Sequence, residues 1–135
     1  MTAEDIFKMT MAMIDEMTTS GELDETSVAE YRAKTPYILT MLQNEIIGIE
    51  NRYRKESDII YPVPIESLEQ NVQISDIKAN AMLTNGLAAQ LMLHEDTNLA
   101  SYFNQRYEEM KAIYLKPTPS KREKIEDVYD VNLNY

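Results

Sequence analysis

The sequence predicts an all-α domain: a small bundle of about four main helices over residues 1–115, followed by an extended C-terminal arm over 116–135. Three observations predict it. Apolar residues recur at spacings of three and four along most of the chain, the period of a helix face. Glycine stands only at 21, 48 and 86, so the spans between breaks are long. Two proline-containing stretches, Tyr61-Pro-Val-Pro64 and Lys116-Pro-Thr-Pro-Ser120, mark where the chain must run extended. At 135 residues, with 44% hydrophobic and 27% charged, the chain is the size of one domain with a real core.

The first helix is predicted to start near Thr2. Thr2 can cap it, and Glu4 and Asp5 suit the positive end of the helix dipole. Ile6, Met9, Met13 and Met17 form one stripe, which Phe7, Met11 and Ile14 widen. Most of these methionines are expected to fill the core. Thr18-Thr-Ser-Gly21 ends the helix, because glycine can take a left-handed conformation there.

The second helix is predicted from Ser27, whose spacing to Glu30 is that of a capping box, to about Lys55. Pro36 should break or kink it at Thr35-Pro36. Beyond that point Ile38, Leu42, Ile46, Ile49 and Tyr53 line one side. The end, Arg52-Tyr-Arg-Lys55, is basic. Cations suit a helix C-terminus, and the same cations would suit an acidic neighbour. Arg52, Tyr53, Arg54 and Tyr61 are therefore the candidate subunit-interface residues.

Residues 56–75 form the main connection, and a short helix is expected near 65–70, since so long a structureless loop is uncommon in a compact domain. A third helix follows Ser75 or Asp76. Ile77, Ala81, Leu83, Leu87, Ala88, Leu91, Met92 and Leu93 make it apolar on much of its circumference, as for a central helix. Gly86 costs about 1 kcal/mol against alanine in a helix interior, so close packing by another helix is the expected compensation. His94-Glu-Asp-Thr-Asn98 is the break, Asp96 or Thr97 the next cap, and the fourth helix runs to about Leu115 on Leu99, Phe103, Arg106 or Tyr107, Met110 and Tyr114.

The arm carries Ile125, Val128, Tyr129, Val131, Leu133 and Tyr135. Left in water, these side chains forgo burial worth roughly 25 cal/mol per Å². A partner's groove or sheet edge would recover it, as would packing on the chain's own domain; the pattern leaves both open.

Composition excludes several functions. With no cysteine, there are no disulfides, thiolate metal sites or cysteine nucleophiles. No apolar run approaches the ~20 residues that span a bilayer. Met1-Thr-Ala-Glu-Asp5 carries acids where a signal peptide carries bases, so a soluble protein retained in the cell that makes it is expected. Residues 1–115 hold 19 acids and 9 bases, and residues 116–135 hold four of each, so the whole net charge of −10 sits on the body. Such a body should not hold nucleic acid, whose binding depends on Lys and Arg at phosphates.

Little reactive chemistry is present. His94 with Glu95 and Asp96 is a weak ligand set, better read as a helix end followed by capping acids. The isolated glycines form no phosphate loop. Acid pairs such as Asp15-Glu16 and Glu108-Glu109 read as solvated surface. No catalytic, metal or cofactor site is expected.

The stretch Ala81-Met-Leu-Thr-Asn-Gly-Leu-Ala-Ala-Gln-Leu-Met-Leu-His-Glu-Asp96 resembles the "GLAA-x-L-x-L" helix and acidic turn of the head-to-tail connector (adaptor) proteins of tailed phages and prophages from Gram-positive hosts. Phe103-Asn-Gln-Arg-Tyr-Glu108 is similar to the "F-x-x-R-Y-E" core of that family's next helix, and Ile125-Glu-Asp-Val-Tyr129 to a short motif in its tail. Tyr31-Arg-Ala-Lys-Thr-Pro-Tyr-Ile-Leu39 and Leu42-Gln-Asn-Glu45 also resemble it. The resemblance covers most of the chain, in packing and tail motifs. It implies a non-enzymatic virion protein of the neck, in a homo-oligomeric ring, commonly a dodecamer. The ring would sit between the portal protein and a stopper or tail-completion protein and extend the DNA channel without specific DNA binding. It further implies that residues 116–135 dock on the portal, with Ile125, Val128 and Tyr129 as anchors. Asp130 to Tyr135 match no part of the pattern. An acidic helical regulator of a basic protein fits the charge equally well, and is the rival expectation.

Overall fold

The computed structural model describes residues 1–17 and 25–115. Among them the architecture is all-α: α1 (Ala3–Met17), α2 (Glu25–Asn51), a 3-10 turn (Glu56–Asp58), α3 (Asp76–Lys78), a π-helical stretch (Ala79–Leu83), α4 (Thr84–Leu91) and α5 (Thr97–Tyr114). The stretch from Asp76 to Leu91 is one continuous helical rod, giving four main helices as expected. The expected stop at Thr18–Gly21 and the arm at 116–135, with Ile125, Val128, Tyr129, Val131, Leu133 and Tyr135, lie outside the described residues.

α1 begins where the sequence places it. The Thr2 hydroxyl accepts from the Asp5 backbone N–H at 3.1 Å, and Asp5 accepts from the Thr2 N–H at 3.0 Å, a reciprocal cap. The backbone bonds of Thr2 hold the Asp5 carboxyl below the usual carboxylate range. Two further free N–H groups of the first turn, at Ala3 and Glu4, donate to the carbonyls of Gln70 and Leu68. The buried face is Ala3, Ile6, Phe7, Thr10 and Ile14. Met9, Met11 and Met13 are half-buried at its margin. Among Met1, Met9, Met11, Met13, Met41, Met82, Met92 and Met110, only Met82 and Met92 are fully in the core, fewer than composition led one to expect.

α2 departs from expectation in three ways. It starts at Glu25, so Ser27 lies inside the first turn and not at the cap. It runs through Pro36 without a break. Proline forfeits one backbone bond, but Tyr31, Thr35, Leu39, Leu42 and Ile46 on both sides of it are buried on one face, and that burial carries the helix across. It ends at Asn51, short of Lys55. There the Asn51 side chain donates to the Ile60 carbonyl (2.8 Å) and accepts from the Ile60 N–H (3.1 Å), drawing the chain back on itself.

The connection contains its short helical turn at Glu56–Asp58, and 65–70 is not helical. Side chains hold it instead. Gln43, fully buried on α2, donates to the Val63 carbonyl and to Gln73 Oε1, both at 3.0 Å, and accepts from the Gln73 N–H at 2.8 Å. Gln73 Oε1 also accepts from the Val63 N–H at 2.7 Å, and its Nε2 donates to the Tyr61 carbonyl. Thr40 accepts from the Ile65 N–H, and Gln70 spans Pro64 and Glu66. The polar groups of an irregular segment are thereby satisfied as a ladder would satisfy them.

The rod is central, packing against α1, α2 and α5. Every residue from Met82 to Ala89 is buried, on all sides of the helix. Ile77 and Leu93 are the exceptions to the expected apolar surface, 73% and 48% exposed, because they lie at its two ends beyond the neighbouring helices. α5 is capped by Asp96, which accepts from Asn98 N and Leu99 N at 3.1 Å each. It buries Phe103 and Tyr107, with Leu99, Met110 and Tyr114 packed at the edge.

Candidate interaction surface

Among the described residues no cluster of three His, Asp or Glu side chains could hold a metal ion. His94 is exposed in the turn between α4 and α5, while its neighbours are committed elsewhere: Glu95 accepts from the Tyr31 hydroxyl, and Asp96 caps α5. No described helix is long and apolar enough to cross a membrane.

One charged knot joins α2 to α5. Glu45 Oε1 accepts from the Tyr107 hydroxyl at 2.6 Å and from Lys111 Nζ at 2.7 Å, and Lys111 also lies 3.1 Å from Glu108. The ammonium stands 4.6 Å from the Tyr107 ring centre. Burial pushes the Glu45 carboxyl up, but the bonds from Lys111 and Tyr107 outweigh it and hold it below the carboxylate range. Burial pulls Lys111 down, but Glu45 and Glu108 outweigh that and hold it above the usual lysine value. Burial, then Glu45, pushes the Tyr107 phenol well up, so it stays a donor. This arrangement fixes helices; its partners are all accounted for within the fold.

A second clamp joins α1 to α2. Arg32 forks onto Glu4 with bonds of 2.6 and 3.0 Å and lies over the Phe7 ring.

What remains for partners is surface. Of the expected interface residues, Arg52 and Tyr53 are exposed in the turn after α2, and Tyr61 is 80% exposed. Arg54 is drawn inward: it donates to Asn51 Oδ1 at 2.9 Å and pairs with Glu50, which also holds Lys78 at 2.8 Å. The basic helix end is therefore partly spent on the chain's own acids.

Tyr37, Met41 and Val63, none of them among the expected interface residues, are 80%, 51% and 54% exposed. Tyr37 and Met41 are one turn apart on α2, on the side away from Thr35, Leu39, Leu42 and Ile46. Placing the core stripe on the helix wheel would have found them. Beside Tyr37, α2 and the extended segment leave a groove of about 440 Å³, lined by Pro36, Tyr37, Thr40, Pro64, Ile65 and Glu66 among others. A second groove, about 580 Å³, runs between α1, the π-helical stretch and α5 past Met13, Asn80, Tyr102, Arg106 and Met110.

No protein-family model, no curated protein and no solved structure matches the chain.

Proposed function

We propose that this protein is a non-catalytic building block of a tailed phage's neck, a head-to-tail connector subunit that forms a ring between the portal and a stopper or tail-completion protein. The observation that carries the reading is where the resembling residues fall. Ala81 to Asp96 supply most of the innermost helix and the Asp96 cap of α5, and Phe103 and Tyr107 of the next motif pack on that helix. Much of the resembling sequence thus lies in the core of the bundle, while Tyr37 within it, and Tyr53 and Tyr61 beyond it, present aromatic side chains suited to contacts at the surface. The arm at 116–135 supplies a greasy segment for the portal, with Ile125, Val128 and Tyr129 as anchors. The net charge of −10 supports a channel wall that repels phosphate and lets DNA slide through.

The test is co-expression with the portal protein from the same genome, followed by electron microscopy of the purified portal. A ring of this chain on one end of the portal is the expected result. A portal that emerges bare despite excess connector overturns the proposal. The acidic charge also favours a regulator of a basic protein, and that reading predicts no copies in mature particles.

A further inference from the structure

We propose that the groove between α2 and residues 61–66 receives Pro117-Thr118-Pro119 of a second copy of this chain. The contact rests on the ring reading and gives the ring a joint between subunits.

The chemistry of the two sides matches. Pro36, Tyr37, Pro64 and Ile65 give the groove an apolar, aromatic and proline-rich lining. Grooves of this kind take extended prolines, which lose little entropy on docking. The groove cannot work by strand addition instead. Pro62 and Pro64 have no N–H, and the carbonyls of Tyr61, Val63 and Pro64 and the N–H groups of Val63, Ile65 and Glu66 are already bonded to Gln73, Gln43, Gln70 and Thr40. Glu66 is the charged residue of the lining, and Lys116 and Lys121 flank the prolines with the opposite sign.

Geometry assigns the prolines to a second copy. α5 runs the same way as α2: Glu95, just before α5, meets Tyr31 near the start of α2, and Tyr107 and Lys111 meet Glu45 farther along. Tyr37 lies about 12 Å back along α2 from Glu45, and Leu115 lies about 6 Å onward from Lys111, at 1.5 Å per residue. Within one chain the axial gap from Leu115 to Tyr37 is therefore about 18 Å, before any crossing between helices. Pro117 and Pro119 reach at most about 7 and 14 Å from Leu115, even fully extended. Both fall short.

The absence of cysteine makes the test direct. Full-length Thr118→Cys protein is mixed with full-length Glu66→Cys protein and oxidised; Ser101→Cys, exposed on α5, is the control partner. The heterodimer with position 66 is expected to exceed that with position 101 about tenfold, and Pro117→Ala with Pro119→Ala should remove that excess. Equal yields at 66 and 101, or no loss without the prolines, overturn the proposal. A chain carrying both Thr118→Cys and Glu66→Cys that closes on itself as a monomer overturns the assignment to a second copy. Selective cross-linking by a chain that the portal does not capture leaves this joint standing and removes the connector reading; capture without the cross-link does the reverse.

Discussion

Gly86 and Tyr107 meet so closely that a Cβ on the glycine would lie 3.1 Å from two ring carbons of the tyrosine. It would also lie 2.9 Å from Leu42 Cδ1. The central rod is thus pinched between α2 and α5 at the one place where it has no side chain. Leu42 is buried and the Tyr107 ring is held by its bond to Glu45, so neither yields easily.

Gly86→Ala should therefore destabilise the protein despite the better helix former. The gain of about 1 kcal/mol in propensity is outweighed by overpacking of about 1–3 kcal/mol, leaving a net loss on the order of 1 kcal/mol. Gly48 is the control, because a Cβ there meets nothing within 4 Å. Gly48→Ala should stabilise by about 0.5–1 kcal/mol. Thermal melts of the two variants should move in opposite directions, by about 4 °C each. A shared direction would refute the pinch.

Gln43→Leu removes the centre of the clasp. It leaves the Val63 carbonyl, the Gln73 N–H and the Gln73 side-chain oxygen short of a partner. A loss of about 1–2 kcal/mol is expected from the bonds removed, since Val63 and Gln73 are exposed and water can take up part of what Gln43 leaves. Hydrogen exchange should speed up first at Val63 and Gln73, while the amides of α4 follow only global unfolding. Unchanged protection at those two amides would show that the connection is held in another way.

The Glu45–Lys111 pair predicts a pH window. Glu45 has a depressed pKa in the fold, so its contribution is present above its unfolded value of about 4.5 and disappears as pH falls through the lower folded value. Lys111 has a raised pKa, so its contribution is full below about 10.5 and disappears as pH rises through the higher folded value. Tyr107 adds to the alkaline loss: its phenol ionises more easily unfolded than folded, which favours unfolding above about pH 10. Glu45→Gln should flatten the acid limb of stability and Lys111→Met the alkaline limb, each measured by denaturation from pH 3 to 11. Unaltered limbs would mean that the knot is not what titrates.

Ile125→Asp, Val128→Asp and Tyr129→Asp together test the arm. With the arm on the portal, as proposed, the melting temperature of the protein alone should stay within about 2 °C. Affinity for the portal should fall by at least about a hundredfold, the scale of losing a cluster of apolar anchors. A triple variant that still saturates the portal at the same concentration would remove the arm from the contact.

Much of the fold was legible because it is written in local pattern. Thr2 with Asp5, the Asp96 cap, the stripe of α5 and the all-round apolar run before Leu91 each lie within a few residues, and helical period reads them directly. The compensation expected at Gly86 was legible too, since a glycine inside a helix needs a reason. The candidate surface was half legible. Tyr53 and Tyr61 are exposed as their amphipathic character suggested, but Tyr37 was passed over, and Arg54 turned out to serve Glu50 and Asn51.

The sequence by itself determined the four main helices, the caps at Thr2 and Asp96 and the buried centre, because these depend on neighbours in the chain and on residue type. Only the tertiary structure decided that α2 passes Pro36 intact, that residues 61–66 stay extended under Gln43 and Gln73, and which aromatic residues remain outside. Those outcomes turn on bonds and burial between residues outside any one helical turn, such as Val63 with Gln43, Gln43 with Gln73 and Tyr31 with Glu95. No local period encodes such pairings; they form only when packing brings the partners together and makes an unmatched polar group costly.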